Sequence, residues 1–524
     1  MAADDYAVNK LQYPGHFKCS EIALISSAGK VAGIKSAVIE LNIYESLFSN
    51  FLTGDITFVD TLNLIDELPI TGHEFLDFKI RTPIRSMYRD PTTANPHASK
   101  QFLDLGGYDF TNRRMSVYNI AKKQTLTDGT VQITLNFCSP EGIRNQNVRL
   151  SRSFEGTYDE MVAKIFKKEF GLNSKKKCYI QPTKNNFKYV APNKRPLDVI
   201  NVLASRAQPK TSSLPGYVFY ENGQGFHFRS MDSFFFFVKQ GTDGRATLKP
   251  LDEMFEFFCS NPSMTSTQSR NDIPLRQMRF AIEYDLSEFP DIIHHQRAGT
   301  YASKLISYDA YNKTQSTKIH NYIDDYNFIP HLEKDDPDDF GDTASYRGLV
   351  PKTQYDPNDL TTTNSTSYGR SQYKYLSDYS DARIMMLSKT SKLHNTNMDD
   401  NYRLDETTQR RQMALQLFNT IQLRLTAHGN THLNAGHVVR VNLPRPGMQK
   451  TEVKSTQYDK NLTGRWLITA VRHNFNFADT VHKSIYTCIK ETYGRAQLED
   501  AGPLSITTED EGKAINLYDD SEYN

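Results

Sequence analysis

The chain has 524 residues, 38% of them hydrophobic, and its 62 Lys and Arg nearly balance 61 Asp and Glu. That length calls for several domains, and 29 Tyr with 30 Phe suit strand-rich cores and protein–protein contacts. Near neutrality argues against a dedicated nucleic-acid binder with its basic footprint, while leaving room for a neutral or acidic channel that DNA slides through. No run approaches the roughly 18 apolar residues of a membrane-spanning helix. Cys19, Cys138, Cys178, Cys259 and Cys488 are scattered without CxxC spacing, so buried free thiols in a reducing compartment are expected. The opening MAADDYAVNKLQYPG is acidic and polar, and no signal peptide is expected.

In chain order, residues 1–18 read as an arm and 19–150 as all-β. Ile39, Leu41 and Ile43 point one way while Glu40 and Asn42 point the other. Leu76, Phe78 and Ile80 alternate with Asp77, Lys79 and Arg81, and Val131, Ile133, Leu135 and Phe137 alternate with Gln132, Thr134 and Asn136. A period of two predicts half-buried strands. Asp128-Gly129, between strands at 115–121 and 130–138, predicts a hairpin. The loop 83–100, with Pro83, Pro91 and Pro96, is expected to be exposed.

Residues 151–265 read as an α+β middle domain. Thr157 is placed to cap a helix reaching about Phe170, with Asp159 and Glu160 in its first turn, Lys167 and Lys168 in its last, and Gly171 as its stop. A second helix is expected from Pro196 through Val199, Ile200, Leu203 and Ala204. YVFYENGQGFHFRS then reads as a hairpin, with Val218 and Tyr220 facing Phe226 and Phe228 across a turn at Asn222-Gly223. Residues 266–310 resume strands. The stretch 311–403 is rich in Tyr, Asp, Asn, Thr and Ser, includes the acidic EKDDPDDFGD at 333–342, and reads as an insertion that wraps a neighbour or covers a surface. A helix at about 404–418 is expected to bury Met413, Leu415, Leu417 and Phe418. Strands continue from Ile421 to about Tyr493, and 499–524 read as an acidic tail.

The fold class expected is therefore α+β and predominantly β. It comprises two similar antiparallel β-barrel domains, 19–150 and 266–310 with 404–498, plus the middle domain. Gly54 and Gly436 are expected at tight turns before strands. Trp466, the single tryptophan, is expected as a barrel core or rim anchor. Two like barrels per subunit would let three subunits build a ring with nearly six equivalent faces, joining a threefold object to a sixfold one.

The search for chemistry singles out no catalytic, cofactor-binding or metal site and no cofactor. GxxxxGK[ST], HExxH and GxSxG are all absent from the sequence. His428, His432 and His437 surround a Gly-rich turn and are the nearest metal candidates, though turn and strand-edge histidines are the plainer reading. His294-His295, on a strand, would face opposite ways. The acidic run 333–342 lacks the spacing of a calcium loop, and no pair of carboxylates stands out as a glycosidase acid and nucleophile. Lys175-Lys176-Lys177, with Lys184, Lys188, Lys194 and Arg195, reads as an exposed loop, with a contact to an acidic partner or nucleic acid as the functional alternative. Phe234 to Phe237 reads as a strand buried on both faces or at an interface.

Four passages carry a resemblance: LFSNFLTGDITFVDTLNLIDELPITGHEFLDFKIRTP; FKYVAPNKRPLDVINVLASRA with YVFYENGQGFHFRSMDSF; LRLTAHGNTHLNAGHVVRVNLP; and GRWLITAVRHNFN with SIYTCIKETYG. Over most of 20–495 the chain resembles the central baseplate hub of contractile, T-even-type phage tails, and more distantly VgrG spike bases and late-control tail proteins. The resemblance implies a non-enzymatic virion protein assembled in the host cytoplasm. It would be a homotrimeric hub that adapts a sixfold tail tube to a threefold spike around an axial channel. The implied partners are the trimeric spike, tube and tube-initiator proteins, the tape measure protein, baseplate wedge proteins, and DNA in transit. The rivals are a tail-associated peptidoglycan hydrolase and the spike base of a type VI-like secretion system.

Overall fold

The computed structural model describes residues 11–27, 29–60, 70–83, 107–110, 114–126, 130–184, 186–210, 215–234, 237–240, 246–249, 255–259, 274, 277–288, 291–309, 313–322, 324, 332, 376–389, 404–418, 420–444, 458–459, 462–491, 505–507 and 514–516. The expectations for residues 84–100, the Asp128-Gly129 turn and the acidic run 333–342 lie outside these residues. Most of the arm, the insertion and the tail lies outside them as well.

The first β-module contains β1 (Lys18–Ile25), β2 (Val31–Gly33), β3 (Val38–Ser46), β4 (Thr53–Asp60), β5 (Phe75–Arg81), β6 (Gly107–Asp109), β7 (Met115–Thr125) and β8 (Val131–Cys138). The middle unit has α1 (Pro140–Asn147), β9 (Leu150–Gly156), α2 (Tyr158–Lys167), β10 (Cys178–Ile180), β11 (Phe187–Lys194), α3 (Pro196–Arg206), β12 (Tyr217–Asn222) and β13 (Gly225–Ser230). A short hairpin follows, β14 (Phe237–Gln240) with β15 (Ala246–Lys249), then β16 (Phe255–Phe258) and β17 (Ala281–Glu288). Next come α4 (Ile292–Ala298), β18 (Ala302–Asp309), β19 (Thr314–Asn321), β20 (Ile384–Lys389) and α5 (Leu404–Leu417). The second β-module closes with β21 (Ile421–His428), β22 (Val438–Asn442), β23 (Gly464–Asn476) and β24 (Val481–Lys490).

The alternation expected in the first module is realised residue by residue. Ile56 and Phe58 of β4, Leu76, Phe78 and Ile80 of β5, and Ile133, Leu135 and Phe137 of β8 are buried in one core with Leu41 and Ile43. A second core packs Ile421, Leu423 and Leu425 of β21 with Val439, Val441, Trp466, Ile468 and Tyr486. Trp466 is fully buried, and its indole N–H donates to the Leu462 carbonyl at 3.0 Å. A third core joins α2, α3 and the faces of β12 and β13 that carry Phe219, Phe226 and Phe228.

The two β-modules share one hydrogen-bonded sheet. Its strand order is β17-β21-β24-β23-β3-β4-β8-β7-β5-β1-β2, antiparallel at every step, with β22 on β23 and β16 parallel to β22. The path is open at β17 and β2, and no closed barrel occurs among the described residues. The physical reason is the 13-residue length of β23. Its first residues pair with β22, and Ala470 to Asn476 run on to pair with Ser46 to Glu40 of β3. Phe475 of β23 accordingly packs in the first module's core, beside residues far away in sequence.

Several placements differ from the sequence reading. β18, expected with the second barrel, pairs with β19 and β20 from the 311–403 stretch in a separate three-stranded sheet. β16, expected in the middle domain, joins the second β-module through β22. His294 and His295 sit on the helix α4 rather than a strand, capped by the Asp291 carboxylate on the His294 N–H at 3.0 Å, with His295 buried and His294 exposed. α2 ends at Lys167, short of Phe170, and the chain folds back through Gly171, where a Cβ would lie 1.9 Å from the Ile165 carbonyl. In the β12–β13 hairpin Phe226 is opposite Glu221 and Phe228 opposite Phe219, one step from the expected register. Both faces of that hairpin are buried, so apolar content does not choose the register; the two-residue turn Gly223-Gln224 does.

Gly436 lies at a turn with φ +91°, as expected, but Gly54 is inside β4. Its role is close approach: a Cβ there would come 2.3 Å from the Phe137 ring and 2.4 Å from the Asn42 carbonyl. Gly54→Ala is therefore expected to destabilise the chain by about 1–3 kcal/mol through overpacking, read as a lowered urea midpoint with an unchanged m-value.

Candidate functional site: a buried polar joint between the β-modules

Glu45 follows Leu41 and Ile43 on the core-facing side of β3, so the strand's own alternation drives a carboxylate into the interior. There it accepts three hydrogen bonds from three other parts of the chain. Tyr108 Oη of β6 donates at 2.6 Å, the Gly223 N–H of the β12–β13 turn at 2.7 Å, and the Ala435 N–H of the β21–β22 loop at 2.9 Å. One side chain thus ties the first module, the middle unit and the second module. Burial pushes its carboxyl up to about 7, against the pull of these donors.

Beside it lies a second buried cluster. Lys176 Nζ is 2.6 Å from Glu221 Oε1, 3.0 Å from Glu141 Oε2 and 3.1 Å from Ser139 Oγ. The Ser139 hydroxyl donates to Glu221 Oε2 at 2.6 Å, and the Leu52 N–H donates to the same oxygen at 2.9 Å. Burial alone would pull the Lys176 ammonium down, but Glu221 and Glu141 outweigh it and hold it above its ordinary range. Burial pushes the Glu221 carboxyl up, with Lys176 opposing. The middle Lys of the expected exposed loop is thus 7% exposed and ionically paired. Its signal is invisible in sequence, because both carboxylates come from other elements.

The β21–β22 loop docks by further reciprocal bonds. Thr82 N–H donates to Thr431 Oγ1 at 3.0 Å, and Thr431 N–H donates to Thr82 Oγ1 at 3.1 Å. Gly429 packs against His482, where a Cβ would come 2.1 Å from the ring. His482 stacks on Phe475 with ring centroids 4.0 Å apart, and its Nε2 is 3.0 Å from His473 Nδ1. Burial pulls the His473 imidazole down to about 3, and His437 to about 4 with help from the Arg229 charge.

Of the histidines considered for metal, His428 sits at the end of β21 opposite Lys483, and His432 and His437 lie in the following loop. The Asn434 N–H donates to His437 Nδ1 at 3.3 Å. Among the described residues no group of three or more His, Cys, Asp or Glu is placed to hold a metal ion. Phe234 is buried at the end of a 3-10 turn, Asp232–Phe234, rather than in a strand. The five cysteines are free; Cys138 and Cys488 are buried and the other three partly so. The arrangement supports mechanical coupling. Its carboxylates are occupied by internal donors and its lysine by two carboxylates.

Neither a protein-family model nor a curated protein matches the chain. Solved structures similar to it are phage tail proteins and VgrG complexes. The 43 kDa tail protein of prophage MuSo2 from Shewanella oneidensis is 10% identical, with 90% of this chain and 99% of that one covered and a TM-score of 0.43. The tail protein from Neisseria meningitidis MC58 is 8% identical, with 91% and 97% covered and a TM-score of 0.42. A chain of the Francisella PdpA-VgrG complex is 10% identical, with 95% and 55% covered and a TM-score of 0.36. At these scores the likeness has no weight of its own in deciding function.

Two outcomes are expected. Lys176→Met strands Glu141 and Glu221 without a cation, and a loss of about 3–5 kcal/mol should appear in equilibrium unfolding. The pH dependence has two opposed parts. His437 and His473 take up protons only when unfolded, so their contribution is full above 6.5 and is lost as pH falls toward about 4 and about 3 respectively. Glu45, raised from 4.5, contributes fully below 4.5, and its contribution is lost as pH rises through about 7. His437→Asn should flatten the acid limb of the unfolding midpoint between pH 6.5 and 4, measured by circular dichroism.

Proposed function

We propose that this chain is a structural protein of a contractile phage tail: the homotrimeric baseplate hub that adapts a sixfold tail tube to a threefold spike and leaves an axial channel. The observation that carries this reading is the β3–β23 ladder. It fuses two β-modules edge to edge, with their cores on the same side of one sheet. Two modules held at a constant angle in each subunit are what a threefold ring needs to present six similar faces. The buried joint at Glu45 supports the same reading, because an adaptor that bears load must not hinge between its modules.

On this reading the two modules are barrel-like, the 151–265 region is the middle domain, and the tail proteins and spike are its partners. The chain acts without catalysis. Native mass measurement of the purified protein, alone and mixed with its spike, is expected to give three copies per particle. A monomer in both states overturns the hub. Clearing of purified cell wall by the isolated chain in a zymogram would replace it with a hydrolase.

A further inference from the structure

Charge is nearly balanced over the whole chain and unbalanced in its parts. Residues 140–210 hold 15 Lys and Arg against 6 Asp and Glu, and residues 499–524 hold 8 Asp and Glu against one Lys. An excess of +9 in the middle unit therefore stands against −7 in the tail, within a chain of net charge +1.

Folding gathers part of the basic excess at one corner. After α2 the chain doubles back: the Leu172 N–H donates to the Ile165 carbonyl at 2.9 Å, and the Ser174 N–H to the Phe166 carbonyl at 3.0 Å. Arg144 Nε fixes the turn by donating to the Gly171 carbonyl at 2.9 Å. Lys175 and Lys177 are thereby brought beside Lys167 and Lys168, and all four are exposed. Burial pushes the Cys178 thiol up to about 12 against the nearby Lys167 charge, which places Lys167 at the start of β10. Lys176 turns inward to Glu141 and Glu221. Among the described residues no carboxylate forms an ion pair with the four outward lysines. The acidic side chain of the same turn is the exposed Glu169.

The tail starts within reach of this corner. Ile489 of β24 and Leu332 are buried in one core with Tyr220 of β12, and the Leu332 N–H donates to Glu491 Oε1 at 2.7 Å. From Tyr220 the rings of His227 and Tyr179 stack in turn, each step 5.0 Å between centroids. Tyr179 is exposed and stands two residues after Lys177. Residues 492–499 span about 25 Å when extended, more than these two steps. No described residue after Ile489 enters a hydrophobic core. The described tail residues, 505–507 and 514–516, pair with each other and with no other described strand. The acidic run 333–342, by contrast, lies between Leu332 and Leu376, both anchored in one core.

We infer that the acidic tail, residues 499–524, docks on the Lys167, Lys168, Lys175 and Lys177 corner of its own chain. Exposed ion pairs are individually weak, but a tether supplies an effective concentration on the order of 1 mM. Docking too weak to hold separate molecules together is then populated within one chain. So placed, the tail withholds the corner from other polyanions until one binds more tightly. Tyr518 among Asp519, Asp520 and Glu522 gives the tail an aromatic ring to set against the exposed Tyr179.

Zero-length carbodiimide coupling of the full-length protein tests this, because it joins only carboxylates and amines already in contact. Mass spectrometry of the single-chain band from a denaturing gel is expected to recover tail carboxylates joined to the four lysines, with a yield that falls as salt rises. Tail cross-links that are absent, that are spread over other lysines, or that occur only in bands of two or more chains overturn the assignment. Cross-links from 333–342 to the four lysines overturn it too. In a second measurement a labelled peptide of residues 499–524 is added to the chain lacking those residues. Anisotropy is expected to show binding that weakens at least tenfold when Lys167→Gln, Lys168→Gln, Lys175→Gln and Lys177→Gln are combined. Equal binding overturns the corner as its site. A short DNA duplex bound through the four lysines of the full-length chain, undiminished by the tail, gives the corner to nucleic acid instead. None of these outcomes depends on the number of copies in the particle, so the hub reading stands or falls separately.

Discussion

Everything in this fold depends on a ladder between two strands more than four hundred residues apart. Ala470 to Asn476 of β23 pair with Ser46 to Glu40 of β3, so the last part of the chain completes the first module. Such a contact closes a very long loop, and loop closure has an entropic cost that the contact itself must overcome. The compensation is visible on both faces. Phe475 enters the first core, and Asn474 and Arg472 join Glu40, Asn42 and Asp55 on the open side.

The buried joint explains why the modules hold one orientation. A hydrophobic seam tolerates sliding, because dispersion contacts are nearly equivalent at neighbouring positions. A carboxylate that needs Tyr108, Gly223 and Ala435 at once has one geometry in which it is satisfied. Leaving such a group unpaired in the interior is expensive. The Lys176–Glu221–Glu141 cluster applies the same kind of constraint inside the middle unit, between α1, the β12–β13 hairpin and the segment before β10, and the Leu52 N–H ties it to the first module. Buried ions of this kind contribute little net stability against a well-packed apolar seam; what they restrict is the number of alternative arrangements. That restriction suits an adaptor whose work is geometric.

The two faces of the shared sheet divide the labour. One collects the apolar cores that stabilise each module. The other carries, at the module boundary, Glu40, Asn42, Asp55, Arg472 and Asn474, bonded to one another because β3 and β23 keep the same side. A one-residue slip in that ladder would exchange the two faces in half of the molecule. Burial of Leu41, Ile43 and Phe475 opposes the slip, as does the loss of Glu45's donors.

Period-two alternation was legible in the chain as written. Leu76-Phe78-Ile80, Ile133-Leu135-Phe137 and Ile421-Leu423-Leu425 predict their strands and their buried faces, since the side chain of every second residue must share an environment. The helices at 158, 196 and 404 were legible from their apolar residues, and the first also from Gly171 as its stop, although the Thr157 side chain expected to cap α2 makes no capping bond. What the tertiary structure alone decided was pairing between distant parts. β18 joins β19 and β20, β16 joins β22, and the modules fuse instead of closing singly, because strand partners are chosen by long-range packing that no local pattern encodes. Lys176 read as one lysine of an exposed run, and only the approach of Glu141 and Glu221 from other elements made it a buried ion. Glu45 stood at the next inward position after Leu41 and Ile43, so its burial was written in the strand; its three donors were not, because they arrive from segments that the fold alone brings together.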